Sequence, residues 1–312
     1  MRLRRSSFLA CGAAALAVPT KLRAADPLSV AIIPGDASAS AYYAQQLGLF
    51  KTAGLDVNLQ IIATGPTIAS AVVGGTIDIG AVNTGSLALA RMRGVALRAL
   101  APANIIGFGP TADTILVAKT STIRTGDDLS GKTIAINSVG TVQHAAALAW
   151  IDAHGGEASS VKFLELPVPA MSAAIDAGRV DGGICGEPYV SQAAATTRSL
   201  GPIYDAMHRP FLLFALCAGE RWLQNNPATA QQFASVIRQA NVWANAREND
   251  AQRRQFNATL SKMDPQIIAK MTLAEMGTTL DAAVLQPVID VMVKYGFMEH
   301  RVSSADLIWR SR

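Results

Sequence analysis

Two similar stretches decide how this chain folds: IASAVVGGTIDIGAVNTGSL at residues 68–87 and MSAAIDAGRVDGGICGEPYV at residues 171–190. They lie 103 residues apart, and at that offset Gly75, Asp78 and Gly80 fall on glycine, aspartate and glycine again. Each stretch reads as a helix that ends in a glycine turn and continues as a short apolar strand. A single doubling makes a solenoid improbable, so the sequence predicts two similar lobes with equivalent loops at their strand ends.

The same order of elements is predicted around both stretches. Short apolar runs alternate with helical patterns, and Pro66 falls in the first turn of a helix. The predicted strands are 28–33, 55–62 and 77–82 in the first lobe and 133–137, 161–166 and 180–185 in the second. A βαβαβ order with short loops predicts a parallel, doubly wound sheet in each lobe.

The fold class is therefore predicted as α/β, with two doubly wound lobes joined by a two-strand hinge and a ligand cleft between them. The apolar runs 115–119 and 211–218 are predicted to carry the chain across and back. The expected division is residues 26–112 with 218–312 as a discontinuous first lobe and 113–217, including the hinge strands, as the second. From Gly219 onward the pattern is helical, and this tail is expected to pack on the first lobe.

Residues 1–25 have the layout of an export signal, with a basic start, an apolar stretch and small residues near the end. Five of the 27 basic residues and none of the 23 acidic residues lie there, so the remainder carries 22 against 23, a net charge of −1. The basic pI therefore gives no argument for a nucleic-acid partner. Arg4 and Arg5 resemble a twin-arginine signal, but Phe8 lies one residue later than that pattern places it, so Sec export stays open. The periplasm is the expected location.

After the signal no apolar run approaches the ~18 residues that span a bilayer, so the exported chain is not expected to be membrane-spanning. Its two cysteines, Cys185 and Cys217, are expected to be buried thiols rather than a bridge between the lobes. The sequence contains no Cys/His cluster with zinc spacing, no phosphate-binding loop and no Ser-His-Asp elbow. No cofactor and no metal are expected.

Several short motifs resemble those of the periplasmic solute-binding proteins of ABC importers for sulfonates, taurine, nitrate and thiamine-precursor pyrimidines. These motifs are YYA at 42–44, GLF at 48–50, AGLDV at 53–57, GTIDIG at 75–80, DLSGKTIA at 128–135, AGRVD at 177–181 and EPY at 187–189. The resemblance covers essentially the whole exported chain. It implies a type II periplasmic binding protein, a monomer whose lobes close on one small molecule and deliver it to an inner-membrane permease. Most of the motif residues are turn and packing residues, so the resemblance specifies the fold more strongly than the ligand.

The candidate ligand-binding residues follow the predicted strands, because open α/β sheets bind ligands at strand carboxyl ends. The first-lobe loop supplies hydroxyls and a carboxylate, one of which must cap the following helix. The turn at 138–141 opens a helix whose N–H groups suit an anionic or accepting group, although a plain N-cap explains it almost as well. Tyr42 could stack on a flat ligand or lie in the core. The full candidate set is Asp36, Ser38, Ser40, Tyr42, Asn83, Thr84, Ser138, Gly140, Thr141, Gln143 and Glu187.

Two alternatives to solute binding stay open at this point. One is an enzyme on the same scaffold, of pyrimidine-precursor or menaquinone-pathway type, which the export signal and the lack of a cysteine-rich motif disfavour. The other is an effector-binding regulator. It is disfavoured because such a regulator needs a DNA-binding helix-turn-helix, for which no room is expected at either end of the chain. Since the candidate loops contain Asp36 and Glu187 but no lysine or arginine, a ligand with a donor or cationic group is expected rather than a plain anion.

Overall fold

Two five-stranded sheets form the frame of the protein in a computed structural model that describes residues 27–310. The predicted export segment, residues 1–25, lies outside the described residues. In chain order the strands are β1 Leu28–Ile32, β2 Val57–Ile61, β3 Ile79–Asn83, β4 Leu97–Pro102, β5 Ile105–Ile106, β6 Thr114–Ala118, β7 Thr133–Ile136, β8 Lys162–Glu165, β9 Gly182–Cys185, β10 Thr197–Pro202, β11 Phe211–Leu212 and β12 Phe214–Gly219.

The two sheets have the same topology. The first has the order β2-β1-β3-β12-β4 and the second, read from the other edge, β8-β7-β9-β6-β10. In each, three strands are parallel and a fourth, which arrives from the other lobe, runs antiparallel between the third strand and the edge. The predicted α/β fold with two similar lobes is confirmed. The antiparallel fourth strand makes each sheet mixed rather than purely parallel.

The turn aspartates that recur in both halves of the repeat are structural. Asp78 accepts the backbone N–H of Ser29 at 2.8 Å, and Asp181 accepts that of Thr133 at 2.9 Å, so each ties its first strand to its third. These pairs are 104 residues apart at the first strand and 103 at the aspartate. The first strands of the two lobes are therefore offset by one residue more than the turns, and a uniformly apolar run does not reveal this shift in the sequence.

Most of the two predicted hinge runs lies inside the sheets, whereas Phe211 and Leu212, at the start of the run 211–218, form a strand of the crossing itself. β6 pairs with β9 in the second sheet and β12 pairs with β3 in the first, so residues 214–217 belong to the first lobe's sheet and not to the second. The two crossings meet at a small antiparallel ribbon, where β11 pairs with β5. An apolar run has the same composition in a crossing as in a sheet interior, and the sequence did not separate the two.

The helices flank the two sheets and fill the tail. They are α1 Ser40–Gln46, α2 Leu49–Thr52, α3 Gly65–Val73, α4 Thr84–Met92, α5 Val142–Ala153, α6 Val168–Asp176, α7 Tyr189–Ala193, α8 Glu220–Asn225, α9 Pro227–Asn245, α10 Asp250–Ser261, α11 Pro265–Ile268 and α12 Gln286–Lys294. The tail packs on the first lobe as predicted, with α9 against α1 and β4, while α12 also contacts α5 of the second lobe. Between residues 27 and 310 no helix combines the length and the apolar character needed to cross a membrane.

Candidate functional site

A cleft between the two sheets collects the strand-end loops of both lobes. Its walls are the loops after β1, β3, β7 and β9, residues of the hinge segment 104–113, and residues 272–275 of the tail. The parallel strands of both sheets end at this cleft, as expected for open α/β sheets. The tail loop was not predicted to take part, because nothing in its local sequence relates it to the repeat.

Seven of the eleven candidate residues line this cleft: Asp36, Ser38, Asn83, Ser138, Thr141, Gln143 and Glu187. The other four lie elsewhere for identifiable reasons. Ser40 is buried in the first turn of α1, and Tyr42 packs against Phe256, edge to face, with ring centroids 6.5 Å apart. Thr84 is buried and donates its hydroxyl to the Leu212 carbonyl at 2.5 Å, which fastens β3 to the hinge.

The fourth, Gly140, has a left-handed backbone (φ 70°), and its N–H donates to His144 Nδ1 at 3.2 Å. Other donors at this helix start also have protein partners. The N–H of Val139 donates to Glu165 at 2.7 Å, that of Val142 to Asn83 Oδ1 at 3.3 Å, and that of His144 to the capping Thr141 hydroxyl at 3.3 Å. Four N–H groups at this helix start are therefore occupied by protein acceptors, and Thr141 caps the helix through its hydroxyl.

His144 itself is buried between two aromatic rings and does not line the cleft. Its ring centroid lies 4.2 Å from that of Phe163 and 4.7 Å from that of Phe297, a residue of the tail. Burial lowers the pKa of His144 to about 4, and the nearby Glu165 carboxylate opposes this only in part. The histidine is thus neutral near pH 7 and serves packing and the acceptor role for Gly140.

Asp36 lines the cleft, but its carboxylate is fully engaged by the protein. Arg253 donates to it twice, at 2.7 and 3.1 Å, and Asn257, the Tyr43 hydroxyl and the Ala274 N–H also donate to it. Asp36 and Arg253 are 1% and 2% exposed, so this is a buried ion pair. The expectation that Asp36 faces a ligand without a nearby arginine is wrong: its cation comes from α10, 217 residues later. Neither Asp36, Ser38 nor Ser40 caps α1 through its side chain.

Asp113 is the cleft carboxylate that sequence reasoning missed. Its Oδ1 accepts from Gln143 Nε2 at 3.0 Å and from the Tyr204 hydroxyl at 3.4 Å. A side chain at Gly186 would place its Cβ 3.0 Å from the same oxygen, so a larger residue there would crowd the carboxylate. Burial, with a smaller contribution from the charge of Glu187, raises the pKa of Asp113 to about 6, although the two hydrogen bonds lower it. The only sequence signal was an aspartate beside the crossing strand.

Glu187 joins the two lobes across the mouth of the cleft. Its carboxylate accepts from the N–H of Ser191, a residue of α7, at 3.0 Å and from the Ser191 hydroxyl at 2.9 Å. It also accepts the N–H of Thr272, in the tail, at 3.2 Å. The predicted cleft position of Glu187 is therefore found, together with a contact between the lobes that the sequence did not suggest.

Asn83 forms a second contact between the lobes, at the back of the cleft. Its Oδ1 accepts from the N–H of Gly85 at 3.0 Å and from the N–H of Val142, the first residue of α5, at 3.3 Å. Since only the amide oxygen can accept, the orientation of this amide is fixed. Its Nδ2 is buried and has no hydrogen-bond partner among the described residues. Buried polar groups are nearly always paired, and this donor is left unpaired in a residue that lines the cleft.

The charged side chains that line the cleft are acidic. Asp113, Glu187 and Glu275 line it, and no lysine, arginine or histidine of residues 27–310 does. Arg209, a possible basic partner, braces the crossing instead by donating to the carbonyls of Gly107 and Gly109 and to Asp205. In the described part of the chain no group of three His, Cys, Asp or Glu is arranged to hold a metal. Both cysteines are buried free thiols, as predicted.

The comparisons with known proteins agree with this architecture. Residues 37–251 match the family described as NMT1/THI5 like. The chain belongs to that family. It is 29% identical over 141 residues to the taurine-binding periplasmic protein of Escherichia coli strain K12, a match that takes in 45% of this chain and 42% of that protein.

Solved structures resemble the fold over nearly its full length. The alkanesulfonate-binding protein SsuA of Xanthomonas axonopodis pv. citri bound to MOPS is 24% identical with a TM-score of 0.75, covering 92% of this chain and all of that one. The aliphatic sulphonate binding protein SsuA of Escherichia coli is 20% identical with a TM-score of 0.74, covering 93% and 94%. The fold is that of periplasmic binding proteins.

Proposed function

We propose that this protein is an extracytoplasmic solute-binding component of an ABC importer. It captures a small organic solute in the cleft, closes on it as a monomer and delivers it to an inner-membrane permease. The single observation that carries this proposal is the cleft itself: equivalent strand-end loops of two doubled lobes face one another, and a fully buried amide donor, Asn83 Nδ2, lacks a partner there. Family membership and the similarity to proteins named as binding proteins support it and favour binding over the enzymatic alternative.

Lobe closure has a physical basis in the contacts that cross the cleft. Glu187 reaches Thr272 at the mouth and Asn83 reaches Val142 at the back, so both contacts form only when the lobes are together. The chain crosses between the sheets at the short β5–β11 ribbon, where few backbone hydrogen bonds resist bending. A ligand that contacts both lobes would favour the closed arrangement by its differential affinity for it.

The test is a thermal-shift screen of residues 26–312 against fractionated small-molecule extracts of the growth medium and cells. A ligand present at 100 times its dissociation constant stabilises the fold by roughly 2.7 kcal/mol. We expect one fraction to raise the melting temperature and to compact the protein in small-angle scattering. Thr272→Trp, which fills the cleft from its exposed rim, should lose the shift, whereas Thr259→Trp, on an exposed face of α10 away from the cleft, should keep it. Shifts that Thr272→Trp retains, or no shift with any fraction, would refute the proposal.

A further inference from the structure

The ligand chemistry can be inferred from how the polar atoms of the cleft are used. Asp113 Oδ1 accepts from Gln143 and Tyr204, while no side chain between residues 27 and 310 donates to its Oδ2. Glu187 and Glu275 line the same cleft. A partly enclosed cleft lined by these carboxylates and by no cation among the described residues disfavours a bare anion and favours a ligand that brings positive charge or strong N–H donors.

Asn83 independently indicates that the ligand also carries a hydrogen-bond acceptor. The residue is 3% exposed and lines the cleft, and its Nδ2 donor is unpartnered in the part of the chain that the structure describes, whereas its Oδ1 accepts from two backbone N–H groups. A complementary ligand therefore also carries an acceptor. This donor points to a bound molecule and not merely to a cluster of acids, since a buried amide left unsatisfied costs about 1–3 kcal/mol.

An apolar groove continues from the cleft between the two lobes. It shares Pro34, Val168 and Tyr189 with the cleft and extends along Leu166, Pro167 and Pro169. Proline rings and aliphatic side chains offer hydrophobic contact and few hydrogen-bonding groups, so this groove suits an apolar part of the ligand. The groove is contiguous with the polar cleft, and one molecule can occupy both.

We propose that the cleft binds a small amphiphilic solute whose cationic or amidine-like nitrogen pairs with Asp113, whose acceptor receives Asn83 Nδ2, and whose apolar body lies along the proline-lined groove. This inference rests on the proposed solute-binding function and narrows its ligand class. Asp113 is then the residue that determines specificity for charge. Simple oxyanions such as nitrate and sulfate are poor ligands of this cleft.

The experiment uses matched probes that differ in one group. Calorimetric titration compares amidines with their planar carboxylate isosteres on ethyl, cyclohexyl and phenyl scaffolds, with nitrate, sulfate and taurine as further probes. We expect at least one amidine to bind, its carboxylate isostere to bind at least about tenfold more weakly, and the cyclohexyl or phenyl member to exceed the ethyl member. Asp113→Asn should weaken amidine binding by about tenfold or more, whereas the exposed Asp56→Asn should leave it unchanged.

Three results would overturn the inference: tighter binding of a carboxylate, taurine or an inorganic anion than of every amidine, unchanged amidine affinity in Asp113→Asn, or binding of no amidine. The first result, if the anion also compacts the protein in scattering, preserves the proposed solute-binding function while rejecting its cationic ligand. When no probe binds, the inference is rejected, and the extract screen decides the function separately.

Discussion

Replacing Asp113 by Asn should stabilise the protein at neutral pH. Burial raises the pKa of this carboxyl from 3.8 to about 6. The folded state therefore holds the proton more tightly than the unfolded chain, and stability falls as the pH rises from about 4 to about 6 and stays low above it. About two pKa units at about 1.4 kcal/mol each correspond to a cost of up to about 3 kcal/mol at pH 7. Asn keeps an amide oxygen to accept from Gln143 and Tyr204 but never becomes charged.

The assay is urea unfolding of ligand-free wild type and Asp113→Asn at pH 4, 5, 6 and 7. The difference in unfolding free energy between the two should be near zero at pH 4 and grow to at most about 3 kcal/mol in favour of the variant at pH 7. Taking the difference removes the contribution of other titrating groups. Asp56→Asn, at an exposed position, is the matched control and should show no such growth. A difference that is flat with pH, or a variant less stable at pH 7, would refute the electrostatic account of Asp113.

Three further outcomes follow from buried groups. Arg253→Met should lower the unfolding free energy by about 3–5 kcal/mol in urea unfolding, because it leaves the buried Asp36 carboxylate without its cation. A loss under about 1 kcal/mol, or an equal loss in the exposed control Arg238→Met, would contradict this. Burial lowers the pKa of His144 to about 4, so its contribution to stability is complete above pH 6.5 or so and is lost as the pH falls toward 4. His144→Leu should lose this acid dependence, and an unchanged slope of unfolding free energy against pH would count against the assignment. Burial raises the pKa of both thiols, that of Cys185 to about 12, so Cys185 and Cys217 should react with a thiol reagent only after unfolding, and prompt labelling of the native protein would disprove their burial.

If the first outcome holds, Asp113 is a residue whose charge weakens the fold. Active and binding sites often retain groups that cost stability because the ligand needs them. If Asp113→Asn both stabilises the protein and loses amidine binding, one variant would show that the same charge lowers stability and raises ligand affinity. The two measurements are independent, since the first needs no ligand.

The sequence by itself determined the doubled α/β frame and the loops that face the cleft. Short-range patterns carry this information: period and length separate strand from helix, and glycines at Gly75 and Gly178 mark left-handed turns, where the backbone has φ values of 75° and 64°. Topology then brings equivalent strand ends together, which is why Asn83, Gln143 and Glu187 could be placed on the cleft before any contact was known.

Only the tertiary structure decided how each polar atom of the site is used. Whether Asp36 is free depended on Arg253, which lies more than two hundred residues away, and whether Asp113 faces the cleft depended on the path of the crossing. The position of the hinge was equally hidden, since β6 and β12 read as apolar runs in either role. The alternation of buried and exposed residues is a local property that can be read from neighbouring positions in the sequence. Charge pairing and hydrogen-bond satisfaction instead depend on distances of a few ångströms between segments that only folding brings together.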